Sequence, residues 1–138
     1  MPKFYPLKVK DLYKDTEQCS VIEFDIPEDL KDKFKYKAGQ YLTLRETVNG
    51  EDIRRSYSLC SSPIDDEWKV AVKQIPDGKF STHVNQFLKK DDTLQVMKPM
   101  GRFGTAISEI PKNYIVFTAG SGITPILSMI KTHLAKEP

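Results

Sequence analysis

The sequence predicts a mainly β fold: a six-stranded antiparallel Greek-key barrel with one helix, followed by the first strand and helix of an α/β unit. Three observations predict it. Short segments rich in β-branched and aromatic residues run from Phe4 to Phe103, punctuated by Pro27, Asn49-Gly50, Pro63 and Pro76-Asp77-Gly78. One helical stripe interrupts them at "KFSTHVNQFLKK". Near Pro111 the pattern changes, because "NYIVFTA" is apolar on both faces, as a strand in a covered parallel sheet must be.

The elements follow in order. "FYPLKVKDLYK" and "SVIEFDIP" read as the first two strands, the second closed by Pro27. "EDLKDKFKYKAG" is a charged connection, expected to be solvated surface. "QYLTLRETV" and "EDIRRSYSLCSS" flank Asn49-Gly50, the strongest short hairpin signal in the chain. "EWKVAVKQI" alternates, with Trp68, Val70 and Val72 on the core face. Gly78 is expected to allow the tight turn before the helix. Ser81 or Thr82 is the expected N-cap, and Phe80, Val84, Phe87 and Leu88 form the buried stripe. "DTLQVMKPMGRF" is the last barrel strand. A boundary near Thr105 to Lys112 divides a barrel of residues 1–108 from a strand–turn–helix of residues 109–138. In that second segment Leu127, Ile130 and Leu134 are expected to face inward.

Composition bounds the function. With 138 residues the chain has one sound core, and 21 Lys and Arg nearly balance 19 Asp and Glu. Near-neutral charge argues against a nucleic-acid binder. Cys19 and Cys60 cannot supply a four-cysteine metal or iron–sulfur site, and no metal is expected. "MPKFYPLKVK" has no apolar run behind its lysines, and no stretch approaches membrane-spanning length. A cytoplasmic protein with no membrane partner is the expectation. His83, His133, Cys60 and Trp68 are read as solvated, charge-complementing, packing and core residues, in that order.

Three segments can carry chemistry. On an extended strand Arg55 and Tyr57 point the same way, about 7 Å apart. They place a fixed positive charge beside a flat aromatic face. Such a pair suits a ligand with one anionic and one planar end, such as a flavin nucleotide. Ser58 lies on the opposite face and reaches the same ligand through its backbone or at the strand end. "PDGKFSTHV" opens a helix whose free N–H groups attract anions, notably a pyrophosphate. Gly120-Ser121-Gly122-Ile123-Thr124-Pro125 has two glycines of a dinucleotide turn, with Thr124 as the expected cap and Pro125 in the first helical turn. From the residues alone a flavin-free barrel acting as an adaptor stays open.

The order and spacing of these segments resemble the ferredoxin–NADP reductase superfamily over essentially the whole chain. The resemblance rests on Arg55, Tyr57 and Ser58; on Gly78 and Ser81; and on Gly120, Gly122 and Pro125. The flanks "AGQYLTL", "VAVKQIPDGKFS" and "LQVMKPMGRFG" fit as well. Within it, reductase components of ring epoxidases and hydroxylases are nearest. The resemblance implies an FAD-binding barrel. Arg55 would lie on the phosphates, Tyr57 against the isoalloxazine, and Ser58 near the reactive nitrogen. Gly78, Phe80, Ser81 and Thr82 would surround the pyrophosphate, with Val72 and Lys73 adding contacts. It further implies NAD(P)H as electron donor, held in part by Gly120, Gly122, Thr124 and Pro125, and an iron–sulfur acceptor. No acid–base residue is required, because the cofactor carries the chemistry. The later motifs of the family's nicotinamide domain have no counterpart here, so the chain reads as a truncated fragment that does not turn over alone. The "YIVFTA" segment is expected to be disordered, to dock on the barrel, or to pair with another copy.

Overall fold

The computed structural model describes residues 1–138. Six strands form one antiparallel sheet: β1 (Phe4–Thr16), β2 (Cys19–Asp25), β3 (Tyr41–Val48), β4 (Glu51–Ser58), β5 (Lys69–Lys73) and β6 (Thr93–Met97). Their spatial order is β4-β3-β6-β1-β2-β5. The long β1 makes the curl. Its first half pairs with β6 and its second half with β2, and the register shifts between Val9 and Asp11 where the two meet. The sheet ends then approach each other, with Leu59 bridging Val70 and the Cys60 N–H donating to the Lys69 carbonyl at 2.9 Å. The expected barrel is present.

Alternation fills it. Leu7, Val9, Ile22, Leu42, Leu44, Val70, Val72, Leu94 and Val96 are completely buried, and Trp68 joins them. The β3–β4 turn forms as expected: Val48 pairs with Glu51, and Asn49 and Gly50 both take positive φ.

The charged connection after β2 is not merely solvated surface. It forms the single-turn α1 (Lys31–Phe34), sends Phe34 fully into the core and buries Tyr36. The Trp68 indole N–H donates to the Phe34 carbonyl at 2.7 Å, which fixes the plug against β5. The chain leaving β6 then crosses this connection closely. A Cβ on Gly39 would sit 1.9 Å from the Phe103 carbonyl oxygen, and Gly39 has φ +98°.

The last helix, α3 (Ile123–Lys136), forms as expected but presents a different face. Ile126, Ser128 and Thr132 are buried, whereas Leu127, Ile130 and Leu134 are exposed. The reason lies in its partner, the polar corner after β4. There the Ser128 hydroxyl donates to the Ser61 carbonyl at 2.5 Å, and the Ser62 and Thr132 hydroxyls bond at 2.7 Å. Thr132 spends its own proton on the Ser128 carbonyl, so Ser62 is the donor to Thr132.

The "NYIVFTA" segment is not a strand. It has no ladder partner, and Ile115 and Phe117 are 83% and 93% exposed. Propensity without a neighbouring strand does not make a β-strand. Thr105 and Glu137 nevertheless tie the connection to α3: Thr105 bonds His133, and Glu137 accepts from the Ser108 N–H and the Tyr114 hydroxyl.

Candidate functional site

Between β5 and β6 lies α2 (Lys79–Gln86), packed on the sheet by Phe80, Val84 and Leu88. The turn before it differs from expectation in two ways. Asp77, not Gly78, takes the positive φ, at 59°. Gly78 is required for space instead, since a Cβ there would meet Ser81 Oγ at 2.4 Å and Ile75 Cγ1 at 2.5 Å. Gly78 is also the N-cap, in place of Ser81 or Thr82. Ser81 sits buried in the first turn, accepting from the Ile75 N–H at 3.2 Å and donating to the Gly78 carbonyl at 3.3 Å. It shapes the loop and leaves the helix without a side-chain cap. The first-turn N–H groups, which have no intrahelical partners, are therefore available to an anion.

Strand β4 runs past this helix start. Ile53, Arg55, Tyr57 and Leu59 share one face; the outer two are buried and the central pair reaches the rim. Tyr57 is half-buried and backed by Phe80, ring centroids 5.9 Å apart and planes 28° from parallel. Burial pushes its phenol up to about 12, against a smaller opposing effect of Arg55, so the ring is neutral. Arg55 is exposed, and its Nη1 donates to the Arg54 carbonyl at 2.7 Å. The nearest carboxylate on the strand, Asp52, is engaged on the other face by Arg45 and Arg54, at 3.7 and 3.5 Å. Arg55 thus keeps an unneutralised guanidinium.

Ser58 ends the strand, half-buried and opposite Tyr41. Val72 is wholly inside the core, and its carbonyl accepts from Asn85 Nδ2 at 2.9 Å. Lys73 is exposed on the edge strand β5. Phe80 serves the site from below, as the backing of Tyr57, which sequence spacing did not indicate. The structure therefore gathers Tyr57, Gly78, Phe80 and Ser81 around one corner, with Arg55 two residues before Tyr57 on the same face of β4.

The second glycine motif lies apart from them on α3. A short 3₁₀ turn at Gly120–Gly122 leads into the helix, and Gly120 has φ +56°. Thr124 is not the cap, for it lies within the first turn and its hydroxyl donates to the Ser121 carbonyl at 3.0 Å. Pro125 falls in that same turn, where it displaces no hydrogen bond. Cys60 offers no thiolate: burial raises its pKa, and its Sγ lies 3.4 Å from the Lys69 carbonyl.

An antiparallel sheet curled into a barrel that backs one aromatic ring with another, beside a free guanidinium and an open helix start, is the architecture of a flavin-nucleotide-binding domain. The comparisons specify which one. The chain belongs to the oxidoreductase FAD-binding domain family, whose model matches residues 6–104. Over 139 residues it is 39% identical to one of the subunits of 1,2-phenylacetyl-CoA epoxidase of Escherichia coli (strain K12), covering 100% of this chain and 39% of that protein. It is 38% identical to the ferredoxin reductase component of 3-ketosteroid-9-alpha-monooxygenase from Rhodococcus rhodochrous, covering 94% of this chain and 37% of the other.

Among solved structures it resembles phthalate dioxygenase reductase, described as a modular structure for electron transfer from pyridine nucleotides to 2Fe-2S. The TM-score is 0.77 at 29% identity, over 96% of this chain and 40% of that one. The fold also matches the FAD/NAD binding domain of nitric oxide dioxygenase from Vibrio cholerae O1 biovar El Tor, with TM-score 0.81 at 22% identity, over 97% of this chain and 57% of that one. The chain spans about two fifths of the length of these curated relatives. No helix is long and apolar enough to cross a membrane.

Proposed function

We propose that the chain is the flavin-carrying part of an NAD(P)H-dependent reductase that passes electrons to the iron–sulfur partner of an oxygenase. The 39% likeness to a component of an epoxidase favours phenylacetyl-CoA epoxidation as the particular reaction served. The observation that carries the reading is Tyr57 lying flat on Phe80, beside Arg55 and the uncapped start of α2. A ring already held flat loses little freedom when a second aromatic system stacks on it. Arg55 and the N–H groups of Lys79, Phe80 and Ser81 meet a pyrophosphate with fixed positive charge. Val72 contributes through its backbone alone, while Lys73 and Thr82 border the site. Ser58, at the strand end, lies where the reactive edge of the stacked ring would fall.

When bound, the flavin supplies the two-electron to one-electron conversion. The protein binds and orients it, and Tyr57 shields one face of it from water. In this reading residues 1–108 are the flavin domain and residues 109–138 begin the nicotinamide segment. Gly120, Gly122, Thr124 and Pro125 contribute the phosphate turn of that segment.

The test is the visible spectrum and FAD titration of the purified chain. Wild type should retain or take up FAD, and Tyr57→Ala should weaken binding by about tenfold or more, in line with base–aromatic stacking. Arg55→Ala should weaken it with a steeper loss at low salt. A folded, colourless chain that ignores FAD would overturn the reading in favour of an adaptor barrel.

A further inference from the structure

After β6 the chain leaves the barrel and runs to α3 with an apolar surface that nothing in the fold covers. Residues 112–118 have no backbone hydrogen-bond partner within the chain, so a row of N–H and carbonyl groups stands open. Alternation sorts the side chains of this segment. Tyr114 turns in to α3, where its hydroxyl donates to Glu137 and its ring centroid lies 5.1 Å from that of His133. Ile115 and Phe117 turn out, as the most exposed large side chains of the segment.

The exposed apolar surface is continuous across a cleft of about 550 Å³ between this segment and α3. Phe103, Ile115, Val116, Phe117, Ile130 and Leu134 line it. Together they expose the equivalent of about four whole large side chains, or about 800 Å² at about 200 Å² each. The largest apolar patch on a monomer is ordinarily about 300–600 Å². A stable pairing takes about 800 Å² from each partner. By contrast Phe87, expected in the buried stripe of α2, is exposed singly because Leu88 takes the core position, and a lone apolar residue is ordinary surface.

We propose that this face is an interface between two copies of the chain, in which residues 113–119 pair antiparallel with themselves about Val116. The pattern is self-complementary. Antiparallel pairing about Val116 sets Ile115 of each copy opposite Phe117 of the other, a β-branched and aromatic pair made twice. Lys112 then falls opposite Gly120, whereas parallel pairing would set it beside its own copy. Residues 113–130 carry no charge, so no repulsion and no stranded ion opposes the contact. A segment of strong β propensity that lacks a neighbouring strand gains one from its copy, and the two-fold axis closes the pair. Lipid is the poorer occupant, because a bilayer core would leave the open backbone groups unsatisfied. Ile130 and Leu134 face outward from α3 because their partner is the second copy rather than the barrel.

The experiment is sedimentation equilibrium of the chain across about 1–100 μM, the weak end for an interface of this size. Wild type should sediment as a dimer, at twice the 15.8 kDa of one chain. Ile115→Glu and Phe117→Lys should each weaken the dimer about tenfold or more, since each spoils both cross-strand pairs. An equimolar mixture of the two variants should recover the dimer. The register then sets the new carboxylate against the new ammonium in one pair and keeps Ile against Phe in the other. Circular dichroism checks that each variant folds. A monomeric wild type, open-ended oligomers, or a mixture that stays monomeric overturns the proposal. A monomer that sediments with phosphatidylcholine vesicles overturns it as well and assigns the face to lipid.

Discussion

Helix α3 is held to the barrel by hydroxyls, and their removal should loosen it without unfolding the rest. Consider Ser128→Ala. Ser128 and Ser61 are 0% and 1% exposed, and the lost bond is a short one, 2.5 Å from hydroxyl to the Ser61 carbonyl. Leaving that carbonyl unpaired in the interior costs about 1–3 kcal/mol. Thr132→Val keeps the shape and removes the acceptor of the Ser62 hydroxyl, at about 1–2 kcal/mol. The two bonds end on adjacent residues, Ser61 and Ser62, so the two substitutions act on one corner and the double variant should depart from the simple sum. The remaining charged link, Lys131 to Asp65 at 3.7 Å, is largely solvent-exposed and adds little. Native-state hydrogen exchange is the assay. Amides of residues 126–136 should exchange about 5-fold to 150-fold faster, at tenfold per 1.4 kcal/mol, while those of β3 and β6 hold their protection. Unchanged protection in α3, or equal loss in the barrel, would refute the account of the seam.

Two further outcomes follow from other parts of the barrel. Gly39→Ala places a Cβ 1.9 Å from the Phe103 carbonyl at a φ of +98°, so it should lower unfolding free energy by about 3 kcal/mol, read as a shift of the urea midpoint. Tyr36 and Tyr57 are both held neutral by burial, Tyr36 well above the ordinary phenol range and Tyr57 up to about 12. Above about pH 10 the unfolded chain releases these protons while the folded chain keeps them, so stability is fully present below that pH and falls as pH rises through the folded pKa values. Urea midpoints of the ligand-free chain between about pH 8 and about pH 11.5 should show that decline, and Tyr36→Phe with Tyr57→Phe should flatten it. An undiminished slope in the double variant would show that other groups cause it.

What sequence made legible, and what it hid, follows one physical line. Alternation at Trp68, Val70 and Val72 exposed its meaning because a barrel strand has one wet and one dry side. Asn49-Gly50 carried its turn in its own dihedrals. Periodicity could not say what a stripe would face. Leu127, Ile130 and Leu134 form a genuine apolar row, but the corner available to α3 offers a carbonyl and a serine hydroxyl, so Ser128 and Thr132 turn toward it. Phe34 and Tyr36 were hidden among lysines because two apolar residues make no period. At the site, Arg55 and Tyr57 were readable from spacing two apart. The backing of Tyr57 by Phe80 was not, because it joins residues far apart in the chain.

The pair Arg54-Arg55 shows how alternation alone sorts charge into structural and ligand-facing roles. Asp52 is two residues from Arg54 and so shares its face, where it also meets Arg45 from β3. The Arg45 and Arg54 guanidinium groups lie 4.5 and 5.2 Å from the Phe4 ring, which adds cation–π attraction to the same cluster. The outer face is thereby closed on itself. Arg55, turned the other way by one step, inherits no carboxylate and stands beside Tyr57 and the start of α2. An acidic residue at position 53 would share its face and neutralise it, and that position holds Ile53, buried in the core. The unpaired charge is therefore a consequence of strand register, and a one-residue slip of β4 would exchange the two arginines and empty the site of its anion-binding charge.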